Sequence, residues 1–103
     1  MYFIAVQLRG QPDQYVAFEN AVKALGAWSN RLPGCWLVQS RLSARRLRDL
    51  LKPHLQPTDR IFVGQFSRNW AGSGMGQGFP DWLNRRAFTL DEQDGAVKPQ
   101  SDQ

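Results

Sequence analysis

A chain of 103 residues, 42% apolar and 12% aromatic, suits one globular domain with a small core and little surplus stability. It contains no run of about 18 apolar residues, which excludes a membrane-spanning helix, and its lone Cys35 excludes an intramolecular disulfide. The charge is uneven: residues 1–90 carry twelve basic and five acidic side chains, whereas Asp91, Glu92, Asp94 and Asp102 crowd the last thirteen residues beside a single Lys98. Ten of the thirteen bases are arginine, the cation that suits planar contacts to phosphate and carboxylate, so a basic body implies attraction to polyanions. The plainer reading of the same charge is solubility. Met1 leads directly into a strand pattern without a long apolar stretch, which argues against a signal peptide, and a cytoplasmic protein is expected.

In chain order, Tyr2-Phe3-Ile4-Ala5-Val6-Gln7-Leu8 is β-rich and mostly apolar, the pattern of a buried central strand. Gly10 and Pro12 break it, and Asp13 stands where a helix N-cap is wanted. Tyr15, Phe18, Val22 and Leu25 then recur at spacings of three and four, one apolar helix stripe ended by Gly26. Pro33-Gly34 between residues 27–32 and 35–40 predicts a hairpin. Ser43 is a good N-cap for a second helix, with Leu47, Leu50 and Leu51 as its buried face, and Pro53 ends or kinks that helix near Lys52. Arg60 to Phe66 reads as a fourth strand.

The predicted order is β-α-β-β-α-β: an α+β domain of ferredoxin-like arrangement, with a four-stranded antiparallel sheet and two helices on one face. The other face stays open unless a partner or the C-terminal segment covers it, and a bare face favours a homodimer. The glycines of residues 71–78 fit neither the dinucleotide fingerprint nor a P-loop, and read as a flexible loop. Residues 80–88 predict a short terminal helix whose Trp82, Leu83 and Phe88 dock on the open face. The domain is expected to span 1–90, and the polar, acidic residues 91–103 read as disordered.

The run from Leu42 to Leu55, LSARRLRDLLKPHL, followed by Thr58-Asp59-Arg60-Ile61-Phe62-Val63, resembles a group of short bacterial and phage proteins labelled SinR-like and grouped with the CRISPR-associated protein two superfamily. Leu25-Gly26-Ala27-Trp28, Cys35-Trp36-Leu37-Val38, Trp70-Ala71-Gly72 and Asp81-Trp82-Leu83 extend the resemblance over roughly residues 2–88. It implies a ferredoxin-like homodimer in which an Asp ending the first strand holds a divalent metal at the dimer seam. That position falls on Gln7, and no acid lies in residues 2–12. A neutral amide is a poor ligand for a hard cation, which argues against the nuclease chemistry that the resemblance implies.

Arg41, Arg45, Arg48 and Lys52 fall at offsets of 0, 4, 7 and 11, one face of a helix and a candidate ridge for phosphate. The plainer reading is the solvated side of an amphipathic helix. Trp28, Trp36, Trp70 and Trp82 read as core or dimer-interface residues, or else as base-stacking surfaces. A single histidine, His54, and a single cysteine make a zinc site within one chain unsupported. The expectation is a non-catalytic homodimer with no cofactor and no metal, binding nucleic acid or a protein partner. The alternatives are a magnesium-dependent ribonuclease or deoxyribonuclease, with Asp13 or Asp59 recruited to the metal, and a structural or toxin–antitoxin-type interaction protein.

Overall fold

The computed structural model describes residues 1–88 of the chain. Residues 89–90, at the expected domain end, and the expected acidic tail over 91–103 lie outside the described residues. The elements are β1 (Tyr2–Gln7), a 3-10 turn (Pro12–Tyr15), α1 (Val16–Lys23), β2 (Trp28–Leu32), β3 (Cys35–Val38), α2 (Ala44–Leu51), a 3-10 turn (Lys52–His54), β4 (Arg60–Gln65) and α3 (Phe79–Asn84). The strands form one antiparallel sheet in the order β2-β3-β1-β4. The fold is therefore α+β, with an open four-stranded sheet and two main helices. No helix among the described residues is long and apolar enough to cross a membrane.

Register decides which side chains share a face, because successive strand residues point to opposite sides. Ile4 sits opposite both Trp36 and Val63, and these three join Val38, Val6 and Ile61 on one face. Tyr15, Phe18 and Val22 from the first helical segment and Leu51 from α2 close over that face as the main core. Phe18, Val22, Ile4, Val38 and Leu51 are completely buried, and each such side chain contributes about 1.5–3 kcal/mol by leaving water. Phe3, opposite both Leu37 and Gly64, marks the second face. There α3 and its flanking segments bury Met1, Phe79, Leu83 and Phe88 against Leu37 and Phe66.

Local chemistry explains the boundaries and corrects three expectations. Asp13 is not an N-cap: it lies inside the 3-10 turn, because Pro12, with its fixed φ and no N–H to satisfy, starts the helical path one residue earlier. Gln11 flanks the turn, and its N–H donates to Gln14 Oε1 at 2.7 Å. Ser43 does cap α2, its hydroxyl accepting from the Arg46 N–H at 3.2 Å. Leu50, expected in the core, is 52% exposed. An eight-residue helix buries only a narrow stripe, and here Leu47 and Leu51 supply it. Arg41 does not belong to α2 at all; it lies in a bend before the cap. The hairpin turns at Pro33-Gly34, where Gly34 adopts φ 74° and its carbonyl accepts from the Val6 N–H at 2.8 Å.

Candidate functional site

The basic side chains expected on one ridge separate into two settings. Arg45 and Arg48 stand exposed on α2, and Lys52 follows as its exposed C-cap in helical conformation, so these three continue one side of the helix. Arg41 is exposed in the preceding bend and is not part of that helical side. The Arg48 guanidinium donates to the Asp49 carboxylate at 2.8 Å; with both partners half exposed, the pair is worth little to stability. Asp49 is the single acid against five bases in residues 41–52.

Arg48 and Lys52 also border a wide cleft of about 1010 Å³ along the outer edge of the sheet. The cleft wraps the sheet edge: Gln7 and Ala5 of β1 with Arg60 and Phe62 of β4 line it on one face, Val6 and Ile61 on the helix-covered face, and the Leu55–Pro57 loop beside them. β4 is an edge strand, so this cleft lies beside backbone that no neighbouring strand covers. Arg60 stands opposite Gln7 and Phe62 opposite Ala5. Phe62 is 68% exposed, and its ring packs at 5.8 Å from Phe3. The sequence singles out neither Arg60 nor Phe62 as a site residue; both serve there to mark a strand and as part of the run that carries the resemblance. The available signal was the period-two alternation: Arg60, Phe62 and Gly64 share one face, and that face ends in a residue with no side chain.

Gln7, at the position where the resemblance implies a metal ligand, ends β1 as an exposed residue facing Arg60. A cationic neighbour opposes a second positive charge there. Among the described residues no three His, Cys, Asp or Glu side chains come together as a metal-binding group. Asp13 is exposed on the 3-10 turn. The Asp59 carboxylate is engaged elsewhere. It accepts from the Tyr15 hydroxyl at 2.8 and 2.9 Å, from the Arg9 N–H at 2.8 Å and from the Gln56 N–H at 2.7 Å. Burial pushes its pKa up, but these donors outweigh burial and hold it below the ordinary carboxylate value. Burial, followed by the hydrogen bond to Asp59, pushes the Tyr15 hydroxyl the other way, above its ordinary value. Asp59 thus ties the loop after β1 to the loop before β4, and Gly10 keeps the space: a Cβ there would meet Gln14, Gln56 and Tyr15.

The tryptophans are distributed between core and surface. Trp36 is buried in the main core; Trp28 packs on it at 5.4 Å and carries the Lys23 ammonium 5.0 Å from its ring centroid as a cation–π pair. Trp70 and Trp82 are half-buried around Phe79 in the second core, with Arg86 lying 5.2 Å over the Trp82 ring. The glycine-rich loop is fastened rather than open: Arg31 of β2 donates to the carbonyls of Met75 at 3.0 Å and Gln77 at 3.4 Å. His54 is exposed, and Cys35 is half-buried with its thiol pKa raised by burial, the opposite of an activated nucleophile. Comparison with protein-family models, with curated proteins and with solved structures gives no match to this chain.

Proposed function

We propose that this chain is a non-catalytic nucleic-acid-binding module of the cytoplasm, a ferredoxin-like relative of the SinR-like and CRISPR-associated protein two group that works as a homodimer. The observation that carries the binding reading is the side of α2 and its C-cap, where Arg45, Arg48 and Lys52 emerge together beside a single acid. A phosphate backbone supplies the regularly spaced negative charge that such a side would neutralise, and arginine grips it with paired donors. The strand order β2-β3-β1-β4, read from the other edge, supports the ferredoxin-like arrangement. The neutral Gln7, set opposite Arg60, supports a role without metal chemistry.

The homodimer is supported by the half of the second sheet face that α3 leaves exposed. Leu32 is 51% exposed there, at the rim of an apolar groove of about 210 Å³ that includes Leu37, Trp70 and Met75. A second copy seated on this groove removes that surface from water. Titration of labelled RNA and DNA into the protein at low salt tests the first half of the reading. Micromolar binding that the double variant Arg45→Glu, Arg48→Glu abolishes is the expected result, and undetectable binding by the wild-type protein overturns it. Sedimentation velocity tests the second half: a dimer that Leu32→Asp converts to monomer is expected, and a wild-type monomer at high concentration refutes it.

A further inference from the structure

We infer that the cleft at the β4 edge takes single-stranded nucleic acid, with a base stacked on Phe62 and phosphates on Arg60, Arg48 and Lys52. The inference rests on the nucleic-acid reading above and names the strand form that the site selects. Three observations carry it.

The first is an exposed aromatic ring with a flat surround. Phe62 is 68% exposed in the sheet. Its partner across β1 is Ala5, and the next residue on its own face of β4 is Gly64. Neither has the bulk to cover the ring. Phe3 fills the space over Gly64, so closely that a Cβ on Gly64 would lie 2.6 Å from the Phe3 ring. Phe3 and Phe62 thus make an open aromatic surface, their centroids 5.8 Å apart. Every base presents a π-face to such a platform, whereas bases paired within a duplex keep theirs stacked on each other.

The second is the charge around that ring. Arg60 shares its face of β4 two residues away, while Arg48 and Lys52 border the cleft from α2, across the β4 edge on the helix-covered face of the sheet, within reach of the flanking phosphates of a strand that wraps the edge. Asp59 also lines the cleft, but its carboxylate is held by Tyr15 and by the Arg9 and Gln56 amides. Asp49 neutralises part of the Arg48 charge. The balance left for a ligand is positive.

The third is shape. At about 1010 Å³ the cleft is at the upper end of small-molecule pockets and lies open along a strand edge. An extended polymer uses that length, and a duplex is too broad to set a base against a ring on the sheet surface.

Fluorescence anisotropy with a labelled 12-nucleotide thymidine strand and with a 12-base-pair duplex tests the inference. The proteins are the wild type, Phe62→Ala, Phe62→Tyr, and Arg45→Glu with Arg48→Glu. Stacking of one base predicts that Phe62→Ala weakens single-strand binding about tenfold, leaves duplex binding within about twofold, and that Phe62→Tyr restores the wild-type value. Single-strand affinity within twofold of wild type for Phe62→Ala overturns the inference, and if the double charge variant still abolishes binding, the ridge reading stands without it. Conversion of a dimer to a monomer by Phe62→Ala in sedimentation also overturns it, because the ring is then a subunit contact. Failure of the wild-type protein to bind either probe removes the nucleic-acid reading itself, and this inference with it.

Discussion

Leu47 and Leu50 lie three residues apart on α2, and the sequence pattern makes both of them core; the structure separates them, with Leu47 completely buried and Leu50 52% exposed. Replacing each by alanine measures the rotation of the helix. Leu47→Ala removes three buried carbons at about 0.8 kcal/mol each, or about 2.4 kcal/mol of transfer free energy. The cavity left at this completely buried position brings the total to about 3–4 kcal/mol. At Leu50 about half of the transfer contribution was never realised and no enclosed cavity forms, so the loss is about 1 kcal/mol. Alanine's better helix propensity offsets a few tenths of that. For a domain of this size the two substitutions lower Tm by roughly 15–30 °C and by less than about 8 °C respectively. Urea unfolding followed by tryptophan fluorescence gives both values, and repeating it at two protein concentrations separates folding from subunit association. Equal losses at the two sites, independent of concentration, refute the orientation of α2. They would also turn Arg45, Arg48 and Lys52 away from the β4 edge, so the outcome bears on the binding site as much as on the core.

Single-strand affinity should fall with a log–log salt slope of about −2.8 if Arg45, Arg48, Lys52 and Arg60 each release one condensed ion, or about 50-fold between ~50 and ~200 mM salt. Arg60→Gln should flatten that slope by about 0.7, and a flat dependence in the wild type refutes phosphate contact. The Asp59 carboxylate, held below its ordinary pKa by the Arg9 and Gln56 amides and the Tyr15 hydroxyl against the opposing effect of burial, stabilises the fold above the unfolded-state value of about 3.9 and loses that contribution as pH falls through its lower folded value. Denaturant midpoints of the wild type and Asp59→Asn should therefore differ at pH 7 and converge below about pH 4; a constant difference across that range contradicts the assignment. Gly64→Val should destabilise by about 1–3 kcal/mol through collision with Phe3, and Phe3→Ala should recover part of that loss in a double-mutant cycle, whereas additive losses refute the contact.

Features set by neighbours in the chain were legible in the sequence. The Ser43 cap, the Pro33-Gly34 turn and the apolar stripe of Tyr15, Phe18 and Val22 depend on contacts within a few residues, and each appears where local chemistry puts it. Asp13 matches a cap by type alone, and the proline beside it competes for the start of the helix. Features set by pairing across the fold left little trace. Tyr15 and Asp59 are 44 residues apart, as are Arg31 and the Met75 carbonyl, and nothing in either segment names its partner. Phe62 is exposed because Ala5 is its cross-strand neighbour, a fact of register rather than of composition. The same limit applies to Leu50, whose apolar character suits a core that α2 is too short to extend to it.

The openness of the proposed site and the closure of the second core follow from one topological step. The antiparallel pairing of β1 with β4 sets Tyr2 beside Gln65 at one end and Gln7 beside Arg60 at the other. The chain leaves β4 at the first of these ends, where the Phe66 N–H donates to the Met1 carbonyl at 3.0 Å. The segment that follows folds back there, burying Met1, Phe66, Phe79, Leu83 and Phe88 together. Its apolar side chains are spent near the exit point, so the opposite end, with Ala5, Phe62 and Arg60, stays bare. That bare end is also where the chain enters β4, arriving from Lys52 through the loop that Asp59 fastens. The last turn of α2 must therefore lie beside it, which brings Arg48 and Lys52 to the same edge as the uncovered ring, from the helix-covered face. Cations and an open aromatic meet at this end because connectivity leaves the entry to the edge strand free while covering its exit. A rearrangement that moved α3 toward Gln7 would bury Phe62 and remove the cleft, at the cost of exposing Phe66 and Leu37 instead.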